Sequence, residues 1–339
     1  MLLHERWFVD SSPFPVRWAE LLSGPPLLAA GAAVAATVGA HLLWRLTGRR
    51  PIIPGPFRLG ADRVQLAALY GLVPLILSLH VAVPLVVNGI QLDLFAPNLE
   101  LGAHTGQAET AGVPIYDLFG ALAGLAQIGI GLALFYGAFT RAAALLLGLL
   151  WLAGAARFGP VLLLEQSIYL GIAGFLWVTG RGRYGLDAYL HPRLARPPRS
   201  SPRHAVTALR LGAGLSLVTL AFTEKLANLP LGLAFLERYP VNFTASFGVP
   251  MDDRTFLLAA GTVELVAGLL VLSNTYVRLG ILVLWVPFNL TLAAFGWREL
   301  VGHLPIYGAM AVLAVWGAGS AADEEALRRG LEPAPPVGA

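Results

Sequence analysis

Six ionisable side chains interrupt the apolar runs of this 339-residue chain: His80, Glu165, Glu224, Lys225, Glu264 and His303. In hydrocarbon such a group costs about 2.5–3.5 kcal/mol on insertion scales, so it turns toward protein or an aqueous cavity and finds a partner there. Carboxyl, imidazole and ammonium groups held together are the means of proton transfer and of polar-ligand binding. Glu264 is the most isolated of the six: Val263, Leu265 and Val266 flank it, and Ala260 and Gly268 stand four residues away. The expectation is that Glu264, His303 and Glu224 handle protons and act catalytically. Lys225, His80 and Glu165 would bind substrate.

Structural readings stay open beside each role. Glu224 and Lys225 lie near a span end, where a lysine can snorkel. His303 starts a span and can be interfacial. His80 lies between Pro74 and Pro84 and can bond a carbonyl freed by a proline kink. Glu165 can cap a helix end. His41 reads as a packed histidine, and Arg141 and Arg278 as helix-start anchors.

Other chemistries find little support. No cysteine is present, which excludes disulfides, iron–sulfur ligation and thiol chemistry. The chain has no HExxH motif, phosphate-cradling glycine loop or serine elbow. His80 and His303 alone are a weak basis for haem, so no metal is expected and the residues themselves name no cofactor. The net charge of +3 is small and its basic residues fall in loops, which argues against a nucleic-acid partner.

The elements that carry these residues are membrane helices. Hydrophobic residues make up 56% of the chain and charged ones 13%, where a soluble domain carries about 25% charged residues; mean hydropathy is +0.68. Apolar runs of roughly 20 residues match a ~30 Å hydrocarbon core. The predicted fold is all-α, a polytopic transmembrane bundle of about nine spans. They run near 24–44, 65–88, 115–136, 141–157, 160–179, 206–227, 255–273, 278–296 and 300–318. At about 1.5 Å per residue, five of the six ionisable residues fall in the outer third of the bilayer, and Glu264 falls near the midplane.

Arginine clusters after the first and fifth spans (Arg45, Arg49, Arg50; Arg181, Arg183, Arg193) place those loops in the cytoplasm. The N-terminus is then outside and the C-terminus inside. The first 23 residues mix charge and aromatics without a short apolar core, so they read as a surface segment and not a cleaved signal peptide.

An internal repeat organises the spans. Gly112-Val113-Pro114, Gln127 and Arg141 recur as Gly248-Val249-Pro250, Glu264 and Arg278, with one extra residue between proline and acid in the second copy. Ile168-Tyr169 aligns with Ile306-Tyr307, which sets Glu165 opposite His303, and His80 falls near Thr223-Glu224. The chain divides into 1–63 (surface segment, first span, basic loop), a first four-helix repeat over 64–180, a basic proline-rich linker over 181–205, a second four-helix repeat over 206–318, and a disordered tail over 319–339. Four spans per copy make the repeats parallel.

The run GTVELVAGLLVL around Glu264, a short turn and Arg278, together with GLSLVTLAFTEKLANLP around Lys225, resemble the DoxX family of membrane proteins. The resemblance is best over 206–318 and weaker over 64–180, where Gln127 replaces the acid and no lysine matches Lys225. It implies tandem DoxX-like units in a bacterial inner membrane, with the site kept in the second. Related DoxD proteins are implied to be quinone-reducing subunits of a thiosulfate-oxidising enzyme, while many DoxX-like proteins have no assigned activity. The resemblance therefore implies a quinone-linked oxidoreductase subunit, with quinone as cofactor and a membrane or periplasmic redox partner. A small-solute transporter or channel, and a membrane scaffold without catalysis, are the alternatives.

Overall fold

A computed structural model describes residues 4–22, 24–101, 118–190 and 201–332. The chain is an all-α polytopic membrane protein. Among the described residues, eight helices are long and apolar enough to cross a membrane: Gly24–Leu46, Arg63–Gln91, Leu118–Tyr136, Thr140–Phe158, Pro202–Leu226, Asp253–Leu272, Val277–Phe295 and Trp297–Trp316. The ninth predicted span, 160–179, is two pieces, Pro160–Glu165 and Ser167–Thr179. The break falls at Gln166, whose ψ of 17° leaves the helical range.

Two compact units are distinguished: residues 1–52 with 214–296, and residues 53–213 with 297–339. The boundaries fall inside the Pro202–Leu220 helix and at Gly296. This division groups the last long helix with the first-repeat helices, whereas the sequence repeat groups it with the second.

In the unit of residues 53–213 and 297–339, the 29-residue Arg63–Gln91 helix is the core element. A capping box fixes its start: Val64 and Gln65 backbone N–H donate to Asp62, and Asp62 N–H donates to Gln65 Oε1 (3.0 Å). The Leu118–Tyr136 helix approaches it closely because Gly131 lacks a side chain; a Cβ there would lie 2.9 Å from Ala82 O. Thr140–Phe158 begins without a local cap. Asp187 supplies one from 47 residues on, accepting from Phe139 N–H (2.7 Å) and Thr140 N–H (2.9 Å). Within the tail expected to be disordered, Ala321–Leu331 is instead helical, because Ser320 and Asp323 form a capping box and Ala326, Leu327 and Leu331 are buried. Residues 333–339 lie outside the described residues, as do Gly112-Val113-Pro114 and residues 191–200 of the proline-rich linker.

In the unit of residues 1–52 and 214–296, Gly24–Leu46 packs on Asp253–Leu272 through Ala33, Ala221 and Leu265. A second cluster of Phe235, Leu236, Phe256 and Leu257 joins Leu229–Arg238 to the same helix.

The turns of the two repeats share one geometry. Positive φ recurs at Gly137 and Asn274, Phe139 and Tyr276, Gly159 and Gly296, and Gly180 and Gly317, each pair 137 residues apart. Ala138 N–H donates to Ala133 O (2.9 Å) and Thr275 N–H donates to Leu270 O (3.0 Å), the same bond at the same spacing. A left-handed backbone position favours glycine or asparagine, which is why those two residues interchange at the first site. Carried between the flanking turns, this register sets Gln166 opposite His303, one residue from the alignment read off the sequence.

Candidate functional site: a buried cluster around Lys225

The six predicted residues divide between the units. Glu224, Lys225 and Glu264 belong to the unit of residues 1–52 and 214–296, where they converge.

The helix that starts at Pro202 is regular to Leu220 and then widens into a π-helix over Ala221–Leu226. Ala227 N–H accordingly reaches back five residues to Phe222 O (2.8 Å). Such turns concentrate at functional positions because they displace side chains from the α-helical register. This one carries Thr223, Glu224 and Lys225, all 0–1% exposed. Across from it, Gly261 lets the Asp253–Leu272 helix draw near: a Cβ on Gly261 would sit 3.0 Å from Lys225 Cβ. One turn further along that helix is Glu264.

Lys225 Nζ lies 3.2 Å from Glu264 Oε2 and 3.3 Å from Glu5 Oε2. Glu5 is 2% exposed, and its backbone N–H donates to Glu224 Oε2 (3.1 Å). His4 Nδ1 lies 3.9 Å from Glu224 Oε1, and Arg6 Nη2 donates to Thr223 O (3.3 Å). The N-terminal segment is held in place by buried Trp7, by Phe8 against Phe235 and Phe295, by Asn228 Nδ2 donating to Phe14 O (3.0 Å), and by Arg17 N–H donating to Ala227 O (2.8 Å).

Glu5 is the residue that sequence reasoning missed. It stands in a short mixed segment that reads as surface, and nothing local marks it as buried. Two carboxyl groups, Glu264 and Glu5, therefore meet one ammonium, with that of Glu224 bonded to the Glu5 backbone beside them. A buried ion pair gains in Coulomb attraction about what it loses in hydration, so the cluster does little for net stability, while removing one partner costs about 3–5 kcal/mol.

The position equivalent to Glu264 in the other unit does different work. Gln127 is fully buried; its Nε2 donates to Asp93 O (2.8 Å) and its Oε1 accepts from Phe95 N–H (3.0 Å). Asn88 Nδ2 and Tyr169 OH both donate to Phe95 O (2.7 and 3.2 Å). This bracing needs a side chain that donates and accepts at once, which an amide does and a carboxylate does not.

His303, His80 and Glu165 belong to this second unit. His303 is 1% exposed, and its Nδ1 lies 3.4 Å from Oε1 of fully buried Glu299. Tyr307 follows one turn later with its ring edge-on to the imidazole at 6.4 Å. Glu299, which falls between the expected spans 278–296 and 300–318, lies inside the Trp297–Trp316 helix. His80 Nδ1 donates to Ile76 O (2.8 Å). Pro74 and Pro84 free the carbonyls of Tyr70 and His80, so the bonded carbonyl is not a kink-freed one. His80 also packs on Gly308, where a Cβ would meet its own Cβ at 2.9 Å. Glu165 is the last residue of its short helix and is 2% exposed. Among the described residues no group of three or more acidic or histidine side chains is placed to hold a metal ion. Compared with protein-family models, curated proteins and solved structures, the chain matches none.

Proposed function

We propose that this integral membrane protein is a proton-handling subunit of a quinone-linked oxidoreductase, with its site at Lys225, Glu264, Glu5 and Glu224. The observation that carries the reading is an ammonium group enclosed at hydrogen-bond distance by Glu264 and Glu5, on a π-helical turn of a membrane helix. The DoxX resemblance of the same stretch supports the redox assignment.

The donor set suits a quinone headgroup. Lys225 offers N–H donors for a carbonyl oxygen, and carboxyl groups beside it can hold the accompanying protons. A quinone takes up two electrons and two protons. The chain has no cysteine, so in this reading a membrane or periplasmic partner subunit delivers the electrons. With a quinone bound, Glu264 would be the residue to give up a proton toward the headgroup, and Glu224 and His4, 3.9 Å apart, would hold further protons beside it. Lys225 would hold the oxygen, and its charge would steady the Glu264 carboxylate once the proton has left. The arginine-rich loops support an outward N-terminus and a bacterial inner membrane as the setting.

Quinone reduction in membranes carrying Glu264→Gln tests the reading. Turnover is expected to fall at least tenfold, on the order of 1.4 kcal/mol in the barrier, at unchanged protein level. Unchanged turnover removes the role of Glu264. Solute uptake by proteoliposomes without a redox donor would replace the reading with transport.

A further inference from the structure

A cleft of about 360 Å³ opens in the unit of residues 53–213 and 297–339, between the end of the Arg63–Gln91 helix and the start of the Trp297–Trp316 helix. Asn88, Gln91, Asp93, Pro97, Trp297 and Arg298 line it. Two apolar spanning helices meet there by opposite ends, which puts the cleft at the level of lipid headgroups. Trp297 is 65% exposed, as interfacial tryptophans are. The lining carries one acid and one guanidinium, and Arg298 sits in the first turn of a helix whose N-terminal dipole adds positive potential. Asp93 is rigidly presented, because its carbonyl is tied to Gln127 and its backbone pairs with Glu100.

We infer that this cleft binds the zwitterionic headgroup of a phosphoethanolamine lipid, with the phosphate on Arg298 and the primary ammonium on Asp93. Guanidinium and phosphate match in charge and fork geometry. A primary ammonium donates hydrogen bonds to a carboxylate, which a trimethylammonium does not. Partial burial and nearby Glu100 push the Asp93 carboxyl up to about 7, with Arg298 opposing. A bound ammonium relieves that repulsion, so binding strengthens as pH rises through 7 and Asp93 ionises. The inference is independent of the quinone reading, since it concerns residues of the other unit.

The test is native mass spectrometry of the full chain, delipidated in mild detergent and offered phosphatidylethanolamine, phosphatidylcholine or phosphatidylglycerol vesicles, with soluble phosphoethanolamine as a fourth arm. Phosphatidylethanolamine is expected to be retained at least tenfold better than the other two lipids, and several-fold better at pH 8 than at pH 6. Asp93→Asn and Arg298→Gln each remove the preference, and Asp93→Asn also removes the pH dependence. Circular dichroism and melting confirm that both variants fold. Competition by millimolar phosphoethanolamine places recognition in the headgroup. Equal retention of the three lipids, or a preference untouched by Asp93→Asn, overturns the inference.

Discussion

Lys225 holds the buried cluster together, because without its charge the carboxyl groups of Glu264 and Glu5 face each other undiluted. Lys225→Met is expected to cost about 3–5 kcal/mol of stability. Combined with Glu264→Gln it should cost less than the sum of the two, with a coupling of about 0.5–3 kcal/mol in a denaturation cycle. Strict additivity would mean that the pair at 3.2 Å is not an energetic unit. Gln127 makes the opposite demand. Gln127→Glu loses the donor to Asp93 O and buries a charge beside a carbonyl, so a loss of at least about 1–3 kcal/mol is expected, with faster amide exchange over residues 93–99. Asp93 predicts a pH dependence. Its carboxyl rises from an ordinary 3.8 to about 7 on folding. The stabilisation is therefore full below about 4 and lost as pH climbs through about 7. Denaturation midpoints across pH 5–8 should fall for the native chain and stay flatter for Asp93→Asn.

At the scale of elements, the C-terminal helix Ala321–Leu331 depends on one close approach. A Cβ on Gly330 would meet Ala67 O and Gly71 N at 2.6 Å, contacts too short to relax without moving the helix. Arg183 completes the dock by donating to the carbonyls of Gly330 (2.9 Å) and Arg329 (3.0 Å), in the last turn of the helix. Gly330→Leu should therefore release the helix and expose Arg328 and Arg329 to trypsin, while the long helices keep their protection. Protection of both arginines in that variant would show that the glycine contact does not decide docking. In the other unit the N-terminal segment brings Glu5 to Lys225 (3.3 Å), whereas Gln127 is met by the backbone of its own unit's loop, Asp93 O and Phe95 N–H.

For the whole molecule, the arrangement of arginines predicts sidedness, and the absence of cysteine makes it directly measurable. Ser12→Cys should react with an impermeant maleimide in intact cells, and Glu332→Cys only after permeabilisation. Reaction of both, or of Glu332→Cys alone, would reverse or break the proposed topology.

Hydropathy and helix punctuation are local properties, so the class of protein, the positions of the long spans and the chemically loaded residues could be read without coordinates. Gln127 with Arg141 and Glu264 with Arg278 suggested a repeat from spacing alone, and the left-handed turns at Gly137 and Asn274, 137 residues apart, came only with the structure. Contacts between distant segments were not legible. Glu5 meets Lys225 across 220 positions, Asp187 caps a helix begun 47 residues earlier, and Ser320 and Asp323 make a helix of what composition reads as tail. Whether Glu264 is a lone buried acid or half of an ion pair depends on the π-turn and on Gly261, which set the distance between two helices. Burial and pairing belong to the packed chain, and only the tertiary structure decided them.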